Sequence, residues 1–261
     1  MPIEKMKTEA DMCKAFIDVC VTDKWIAYPE TAGFDILLAH KEYGTQIGIE
    51  AKQTLNPKVL DQALEGVEHY HRWGGPDFRA ILVPKGGTRG LENIAKKMGV
   101  TIIRYKGKPI DGKNRCKQGE YGYTNAFYPE LPNIDKPFPS FDDGRVWYDW
   151  CPDKRCALPD YIPDVRAGVE SPKKLTQWKV KAIKISILLE KQGYITSSDF
   201  SEIDISMHRW IQSKWIVKDK KHKGLWRKTQ YMPNFEKQHP VNYKQIRLDL
   251  SWQKTIQTQL F

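Results

Sequence analysis

Hydrophobic residues recur with two alternating periods along the first 105 residues of the chain. Apolar residues spaced three or four apart predict helices, and short apolar or alternating runs predict strands. The helices are predicted at 9–23, 56–73 and 88–99, and the strands at 25–29, 34–39, 45–52, 78–84 and 100–105. The order is therefore α-β-β-β-α-β-α-β. Strand–helix–strand units favour parallel pairing, so we expect an α/β fold with a mixed sheet and helices on both faces.

The last third of the chain has a different pattern. Helical periodicity covers 176–193, 197–203 and 206–215, and two strand-like runs flank a basic tip within 216–232. Three helices followed by a β-hairpin resemble the outline of a winged helix-turn-helix domain, which would be the smaller of two folded regions.

The stretch between these regions is rich in Gly, Pro, Tyr and Asp and has no clear period. So long a stretch without regular structure is uncommon inside a compact domain, although its aromatic residues argue against plain disorder. It is predicted to be a connector or a small subdomain. The predicted regions are 1–105, 106–170 and 171–261.

Composition indicates a soluble globular protein, with 40% hydrophobic and 28% charged residues. The sequence has no run of about 18 apolar residues, and its first residues lack the apolar core of a signal peptide. The five cysteines are odd in number and scattered, which favours reduced thiols. We therefore expect a cytoplasmic protein with no membrane partner.

The net charge of +10 is concentrated in the last third of the chain, where residues 171–261 hold 18 lysines and arginines against 7 aspartates and glutamates. A basic surface attracts polyanions, of which nucleic acid is the commonest. A solvated basic face, or a surface for an acidic protein or lipid, is the alternative interpretation.

The segment from Gly33 to Gln53 predicts a hairpin with two chemically different faces. A turn at 41–44 makes the numbers of paired residues sum to 85, so that Asp35 stands opposite Glu50. Because side chains alternate between the faces of a strand, one face is apolar and the other carries the charges. The apolar face is predicted to hold Phe34, Ile36, Leu38, Ile47, Ile49 and Ala51, and the charged face Asp35, Glu50 and Lys52.

Two facing carboxylates repel each other unless a positive charge lies between them. Asp35 and Glu50 suit a hard divalent cation that binds oxygen ligands, namely Mg²⁺, for which Mn²⁺ can substitute. The carbonyl of Ala51 can add a further ligand. Such a metal polarises a phosphate oxygen and lowers the pKa of a bound water. Lys52 can stabilise the charge that develops on the phosphate. This set predicts phosphodiester hydrolysis.

These residues resemble the PD-(D/E)xK nuclease superfamily, which has the restriction-endonuclease-like fold. Asp35 matches its aspartate, 50–52 matches its E-x-K, and the predicted element order of residues 1–105 is similar to its core. The proline of the family motif is absent, and Gly33 and Phe34 precede Asp35 instead. The resemblance also implies an acid on the first helix, for which Glu9 is the best match as a direct ligand or a nearby support, and Glu4 and Asp11 are weaker matches. It further implies an active-site glutamine, for which Gln53 and Gln62 are the candidates.

The third helix and the hairpin tip of the basic region are the predicted DNA-binding elements. Ile205, Trp210 and Ile211 are predicted to pack inward, and the opposite side suits base edges in a major groove. The tip suits a DNA backbone, with a solubilising turn as its alternative. The candidate DNA contacts are Arg209, Gln212, Ser213, Lys218, Lys220, Lys221 and Lys223.

Together these features predict a metal-dependent endonuclease that hydrolyses phosphodiester bonds of double-stranded DNA. A restriction-type enzyme that cuts both strands would usually act as a homodimer. One alternative is a non-catalytic DNA-binding protein built on a retired nuclease fold. Another is a nuclease that acts on RNA or on nucleic acid held by a partner protein.

Overall fold

The computed structural model describes residues 8–20, 24–67, 74–84, 89–105, 126–134, 146–168, 175–249 and 251–252. The chain divides into two compact units. The first unit is Met1–Leu158 with Arg166–Ser171, and the second is Pro159–Val165 with Pro172–Phe261.

The first unit extends beyond residue 105, where the pattern of periodicity predicts its end. Phe127 and Trp147 are 1% and 6% exposed and belong to the same apolar cluster as the sheet. The ring of Trp147 lies edge-on to Phe78, 5.9 Å away. The described part of the Pro- and Tyr-rich stretch up to Leu158 is therefore part of the first unit, because its aromatic residues complete that unit's core.

The first unit is an α/β structure with a six-stranded mixed sheet, in which the strands lie side by side in chain order: β1 (Trp25–Thr31), β2 (Phe34–His40), β3 (Gln46–Ala51), β4 (Phe78–Val83), β5 (Val100–Tyr105) and β6 (Phe127–Tyr128). Strands β1 to β3 pair antiparallel, β3 to β5 pair parallel, and β6 returns antiparallel. This confirms the predicted element order and the parallel pairing behind the hairpin. The described elements are α1 (Glu9–Cys20), β1 (Trp25–Thr31), β2 (Phe34–His40), β3 (Gln46–Ala51), α2 (Pro57–Ala63), β4 (Phe78–Val83), α3 (Arg89–Lys97), β5 (Val100–Tyr105) and β6 (Phe127–Tyr128).

Each face of the sheet packs against its own helices, as predicted. Ile47 and Ile49 point to the face covered by α1, where Phe16 is buried. Ile81 points to the opposite face and packs with Val59 of α2. Each fully buried side chain of this kind contributes about 1.5–3 kcal/mol. The helices therefore lie on both faces because alternation along the strands sends apolar residues to both.

The hairpin has the predicted register. Ile36 pairs with Ile49 and Leu38 with Ile47, so the residue numbers sum to 85. Gly44 closes the turn with a φ of 65°, in the left-handed region that glycine adopts without strain.

Phe34 is the exception on the predicted apolar face. Its ring lies against Gly48, where an added Cβ would come within 2.6 Å of the ring atoms, and it is absent from the core on the α1 side. The β2–β3 ladder reaches no further than the pair of Ile36 with Ile49. Phe34 therefore turns towards the opposite face, and the missing side chain of Gly48 makes room for it.

Helix α2 is shorter than the apolar pattern predicts. The side chain of Asn56 accepts a hydrogen bond from the Val59 amide, and Pro57 occupies the first turn, as expected for a helix start. The helix ends at Ala63, and Gly66 has a φ of 79°. A residue in this conformation does not continue a right-handed helix. The rest of the predicted helix, 68–73, lies outside the described residues.

The second unit follows the predicted order of three helices and a hairpin. Its first helix, α4 (Gln177–Gln192), begins at a Thr176 cap and ends at Gly193, which has a φ of 75°. Two further short helices at the end were not predicted. The described elements are α4 (Gln177–Gln192), α5 (Ser197–Glu202), α6 (Met207–Gln212), β7 (Ile216–Lys218), β8 (Trp226–Lys228), α7 (Phe235–Gln238) and α8 (Pro240–Leu248).

Helix α6 stops three residues before the predicted end at Trp215. Lys214 has a φ of 56°, and the Trp215 amide donates a hydrogen bond back to the carbonyl of Trp210, 2.9 Å away. Ser213 consequently lies just past the helix. Of the residues predicted to pack inward, Trp210 is fully buried but Ile211 is 38% exposed. The prediction for Ile211 is wrong, because the short helix turns only one side to the core.

In the described residues, no helix combines the length and apolar character needed to cross a membrane.

Candidate active site

Asp35 is held at the point where the β2–β3 ladder ends. Its Oδ2 accepts a hydrogen bond from the backbone amide of Ala51, 2.8 Å away. A carboxylate thus replaces the strand backbone as the partner of that amide. The bond fixes the carboxylate beside β3, and within the described contacts its other oxygen, Oδ1, remains for a ligand.

Glu50 lies on the same face as Asp35, one step beyond the last pair of the ladder. It pairs across β3–β4 with Ile81, whose side chain belongs to the core on the α2 side. The Glu50 residue is only 5% exposed. A buried acid of this kind has to share its charge with a partner or a ligand, since burying an isolated carboxylate is costly.

Lys52 forms an ion pair with Glu9 across the gap between β3 and α1. Its Nζ lies 2.9 Å from Oε2 of Glu9, and both side chains are about 30% exposed, at 31% and 27%. The other oxygen, Oε1, accepts a longer hydrogen bond of 3.4 Å from the Gln53 amide. The first turn of α1 is thus brought to the hairpin, where the resemblance places an acid.

The ionisable groups of the site influence one another. Burial raises the pKa of Asp35, and the nearby charges of Glu30 and Glu9 add to it, while the Ala51 amide and Lys52 act in the other direction. Burial disfavours the charged form of Lys52, but the hydrogen bond and charge of Glu9, with Asp35 and Glu50, outweigh it and raise the Lys52 pKa. Asp35 therefore carries a charge that its surroundings do not fully compensate, and Lys52 is held as a cation.

The donor atoms fit a hard divalent cation. Asp35 and Glu50 supply carboxylate oxygens, and Ala51, which lies between Glu50 and Lys52 in the chain, supplies a carbonyl oxygen. The raised pKa of Asp35 marks a place where a positive charge would be stabilising. Within the described ranges, no group of three or more His, Cys, Asp or Glu side chains is arranged to hold a metal ion. Mg²⁺ commonly uses one or two carboxylates and completes its shell with waters and substrate phosphates, so a two-carboxylate set suits it.

Glu30 belongs to this region and was not identified from the sequence. It lies in β1 between the pairs of Pro29 with Ile36 and of Thr31 with Phe34, which sets it opposite Asp35. Its Oε1 accepts a hydrogen bond of 2.8 Å from the Gly168 amide. The register of β1 with β2, in which residue numbers sum to 65, brings Glu30 to this place, and the spacing of the sequence motif does not contain that register.

Cys13 of α1 borders the same acids. The pKa of its thiol is raised by burial and then by the charges of Asp35, Glu30, Glu9 and Glu50. The thiol is therefore protonated and behaves as an apolar core group. The charges of four carboxylates thus act on one point of the first unit.

The two candidate glutamines lie at different places. The backbone N–H of Gln53 donates to Oε1 of Glu9. The side-chain Nε2 of Gln53 is buried with no hydrogen-bond partner in the described residues. Gln62 lies on α2, where its Oε1 is likewise buried without a partner. Gln62 borders a cavity of about 600 Å³ that Gly33 and Phe34 also line.

The candidate DNA contacts of the second unit are all exposed. On α6 the guanidinium of Arg209 stacks over the ring of Trp178, 4.5 Å from its centroid. Gln212 ends that helix and Ser213 caps it.

The hairpin tip is shaped by Asp219. Its carboxylate accepts hydrogen bonds from the amides of Lys221 and His222 and pairs with the Arg227 guanidinium. These interactions lower the pKa of Asp219, the Arg227 bond having the largest effect. The turn therefore has a defined shape, and it projects four exposed lysines, Lys218, Lys220, Lys221 and Lys223.

Comparison with known proteins found no matching family model, no matching curated protein and no matching solved structure. The resemblance to PD-(D/E)xK nucleases therefore rests on the motif residues and on the order and register of the strands.

Proposed function

We propose that the chain is a Mg²⁺-dependent deoxyribonuclease that hydrolyses phosphodiester bonds of double-stranded DNA. The observation that carries the proposal is the hairpin register, which brings Asp35 and Glu50 to one end of the sheet beside Lys52. The ion pair of Lys52 with Glu9 adds an acid from α1 to the same place. Fold and site together support a restriction-endonuclease-like first unit.

Asp35 and Glu50 would hold the metal, with the carbonyl of Ala51 as a further ligand. The bound Mg²⁺ would polarise the phosphate and lower the pKa of an attacking water. The backbone amide of Ala51 holds the Asp35 carboxylate in one orientation. The side chain therefore loses little conformational freedom when the metal binds.

Lys52 acts as a cation in this scheme and not as a general base. Its raised pKa keeps the ammonium protonated at neutral pH. A protonated Nζ beside the phosphate stabilises the negative charge that develops in the transition state. Glu9 positions that ammonium through the 2.9 Å ion pair.

The second unit supplies affinity for DNA. Its exposed lysines at the hairpin tip suit phosphate contacts. Arg209 and Gln212 lie on the exposed side of the third helix, α6, and Ser213 is exposed just past its end. This distribution supports a winged-helix-like role. A homodimer that cuts both strands would follow if the enzyme is of the restriction type.

A plasmid assay tests the proposal. Supercoiled DNA is incubated with Mg²⁺ or Mn²⁺ and the wild type, Asp35→Asn or Lys52→Met. Exposed residues of the same types provide matched controls in Asp18→Asn and Lys58→Met. We expect metal-dependent nicking or linearisation by the wild type and both controls, and loss of cleavage in both site variants.

Intact DNA binding without cleavage by any of these proteins would contradict the proposal and favour a non-catalytic DNA-binding protein. Single-stranded DNA and RNA competitors, added to the same reactions, separate a deoxyribonuclease from a nuclease for RNA.

A further inference from the structure

Arg209 of α6 differs from most of the other candidate DNA contacts because its side chain is held against a ring. Its Cζ lies over the ring of Trp178, 4.5 Å from the ring centroid. The face of an aromatic ring attracts a cation, and a planar guanidinium packs well against it. Lys220, Lys221 and Lys223 at the hairpin tip are exposed and form no ion pair or ring contact within the described residues.

The ring beneath Arg209 is itself anchored to the core of the second unit. Trp178 lies in the first turn of α4, which the Thr176 side chain caps. Its ring centroid is 6.1 Å from that of Trp215, and the Trp215 ring lies edge-on to the fully buried Trp210 at 5.3 Å. Three tryptophans thus connect the guanidinium to the core. A side chain that is already ordered loses less conformational entropy when a ligand binds.

The hydrogen-bond donors of Arg209 remain available in this arrangement. The residue is exposed, and in the described part of the chain no acceptor forms a hydrogen bond or ion pair with its guanidinium. The N–H groups of a guanidinium lie along the edge of its plane, so packing over a ring does not use them. Arg209 therefore offers a fork of donors to a ligand with a matching pair of acceptors.

A fork that contains only donors distinguishes the four bases by their chemistry. Guanine presents two acceptors, N7 and O6, side by side at its major-groove edge. Adenine has a donor in place of one of them, cytosine presents a donor, and thymine has one acceptor beside a methyl group. Because arginine has no acceptor for those donors, guanine is the base that its fork fits.

A phosphate also offers two acceptors, but the surroundings of Arg209 favour a base. Phosphate contacts fix a protein on the duplex, whereas contacts with base edges depend on a defined direction of the donors. Gln212, three residues along α6, is exposed on the same side and is of the type that pairs with adenine. Two base-reading residue types on one side of a helix suit base edges better than the DNA backbone.

We propose that Arg209 determines sequence specificity by binding N7 and O6 of one guanine in the major groove, with Trp178 as the residue that positions it. The inference rests on the proposed function, because it requires that α6 lies against DNA. The preferred substrate class is then duplex DNA with a guanine at a fixed place in the bound site. The chain acts on particular sequences and not on DNA of any sequence.

A binding selection in EDTA tests this inference independently of cleavage. Duplexes with a randomised tract of about 10 base pairs, one helical turn, are captured by the full chain and sequenced. Arg209→Lys keeps the charge but removes the fork, and Arg247→Lys makes the same change at an exposed arginine of α8 as the matched control. Trp178→Leu removes the aromatic face, and Trp178→Phe retains one.

We expect the wild type, Arg247→Lys and Trp178→Phe to enrich a guanine at one position of the recovered sites. Arg209→Lys and Trp178→Leu should lose that guanine and keep any other preference. Equal thermal unfolding midpoints show that each variant is folded.

A change of one atom in the DNA then tests the contact itself. In a copy of the selected duplex, 7-deazaguanine replaces that guanine; it lacks the N7 acceptor and still pairs with cytosine. By anisotropy of an end label, the wild type should bind the copy about tenfold more weakly, which corresponds to about 1.4 kcal/mol. Arg209→Lys should bind both duplexes with nearly equal affinity.

A guanine that persists in Arg209→Lys, or a wild type that enriches none, would overturn the inference. Equal weakening of every recovered duplex in Arg209→Lys would also overturn it, because that is the behaviour of a phosphate contact. Plasmid cleavage with Mg²⁺ in the same preparation would then leave the nuclease proposal standing. The expected guanine preference without any cleavage would support the base contact and count against the nuclease. No binding of any duplex by the wild type would overturn both.

Discussion

The charged residues at the hairpins of the two units lie in opposite environments. In the first unit the acids at the hairpin are buried or half-buried, and Glu50 is 5% exposed. In the second unit the lysines of the hairpin tip are all exposed, and Asp204 in an ion pair with Lys181 has a side chain that is 89% exposed.

This difference separates two kinds of charge: buried charges, whose effect depends on where they lie, and exposed charges, whose effect depends on how many there are. A buried charge is costly and persists only where specific partners or ligands offset it. An exposed charge costs little, contributes little to stability and attracts a polyanion in proportion to its count. Changes in the first unit should therefore have large, site-specific effects, and changes at the hairpin tip of the second should be graded and salt-dependent.

The largest expected effect is on catalysis at Lys52. Lys52→Met removes the cation that faces the developing charge, and we expect kcat to fall about 100-fold to 1,000-fold. Steady-state cleavage of a labelled duplex measures this loss. The exposed control Lys58→Met should retain wild-type rates, and equal losses in both variants would show that position is not what matters.

The next effect is on stability at Asp77, a buried acid outside the site. Its Oδ2 accepts a 2.6 Å hydrogen bond from the Gln46 amide, and its carboxylate forms an ion pair with Arg155 at 2.8 Å. Asp77→Ala should lower the free energy of unfolding by about 2–3 kcal/mol, less than for a fully buried pair because Arg155 is partly exposed. Urea denaturation measures it, and Asp160→Ala, at an exposed acid of the second unit, should leave stability unchanged.

Gly48→Ala tests the close approach of Phe34 to β3. The new Cβ would lie 2.6 Å from the ring, so the ring or strand must move. We expect a loss of about 1–3 kcal/mol of unfolding free energy. The matched change Gly90→Ala is in helix α3 with open space around it, and it should be neutral or stabilising. Equal unfolding free energies for Gly48→Ala and the wild type would show that Phe34 does not occupy this place.

A graded effect is expected at the hairpin tip of the second unit. Replacing Lys220, Lys221 and Lys223 together by Ala should reduce the slope of log affinity against log salt by about 3 and weaken binding similarly for all sequences. Titrations of a labelled duplex at four salt concentrations measure the slope. The triple control Lys58, Lys96 and Lys97 to Ala carries the same change in charge in the first unit, and an equal loss there would show that the tip has no special role.

The smallest effect is on the pH dependence of stability. Because the folded-state pKa of Asp35 is raised above its ordinary 3.8, the folded protein binds this proton more tightly than the unfolded chain. The metal-free wild type should therefore lose stability relative to Asp35→Asn as the pH rises from about 3.8 through the raised pKa. At neutral pH the Asn variant should have the higher unfolding midpoint in EDTA, and a lower midpoint would contradict the uncompensated charge at this position.

The core of the first unit could be predicted because its patterns are local. Alternation in β2 and β3 and a glycine at Gly44 determine one register, since a slip of one residue would turn the charges towards the apolar core on the α1 side and the apolar side chains away from it. Helical periodicity over 176–193 likewise predicted α4, which the structure shows to begin at a Thr176 cap and to end at Gly193.

What the sequence did not reveal depends on contacts between distant segments. Phe127 and Trp147 join the first unit's core across more than 20 residues of irregular sequence, which composition presented as a separate region. Phe34 departs from alternation because Gly48 has no side chain and leaves room for the Phe34 ring. Helix α2 ends early, shortly before Gly66 with its left-handed backbone conformation. Glu30 required the pairing of β1 with β2, which motif spacing does not contain.

The most direct test of the central claim is a calorimetric titration of the protein with Mn²⁺ in the absence of DNA. Wild type and the exposed control Asp18→Asn should bind the metal with the same affinity, and Asp35→Asn should bind it at least about tenfold more weakly, which is about 1.4 kcal/mol. Equal Mn²⁺ affinity in Asp35→Asn and the wild type would show that the hairpin carboxylates do not hold the metal and would contradict the account.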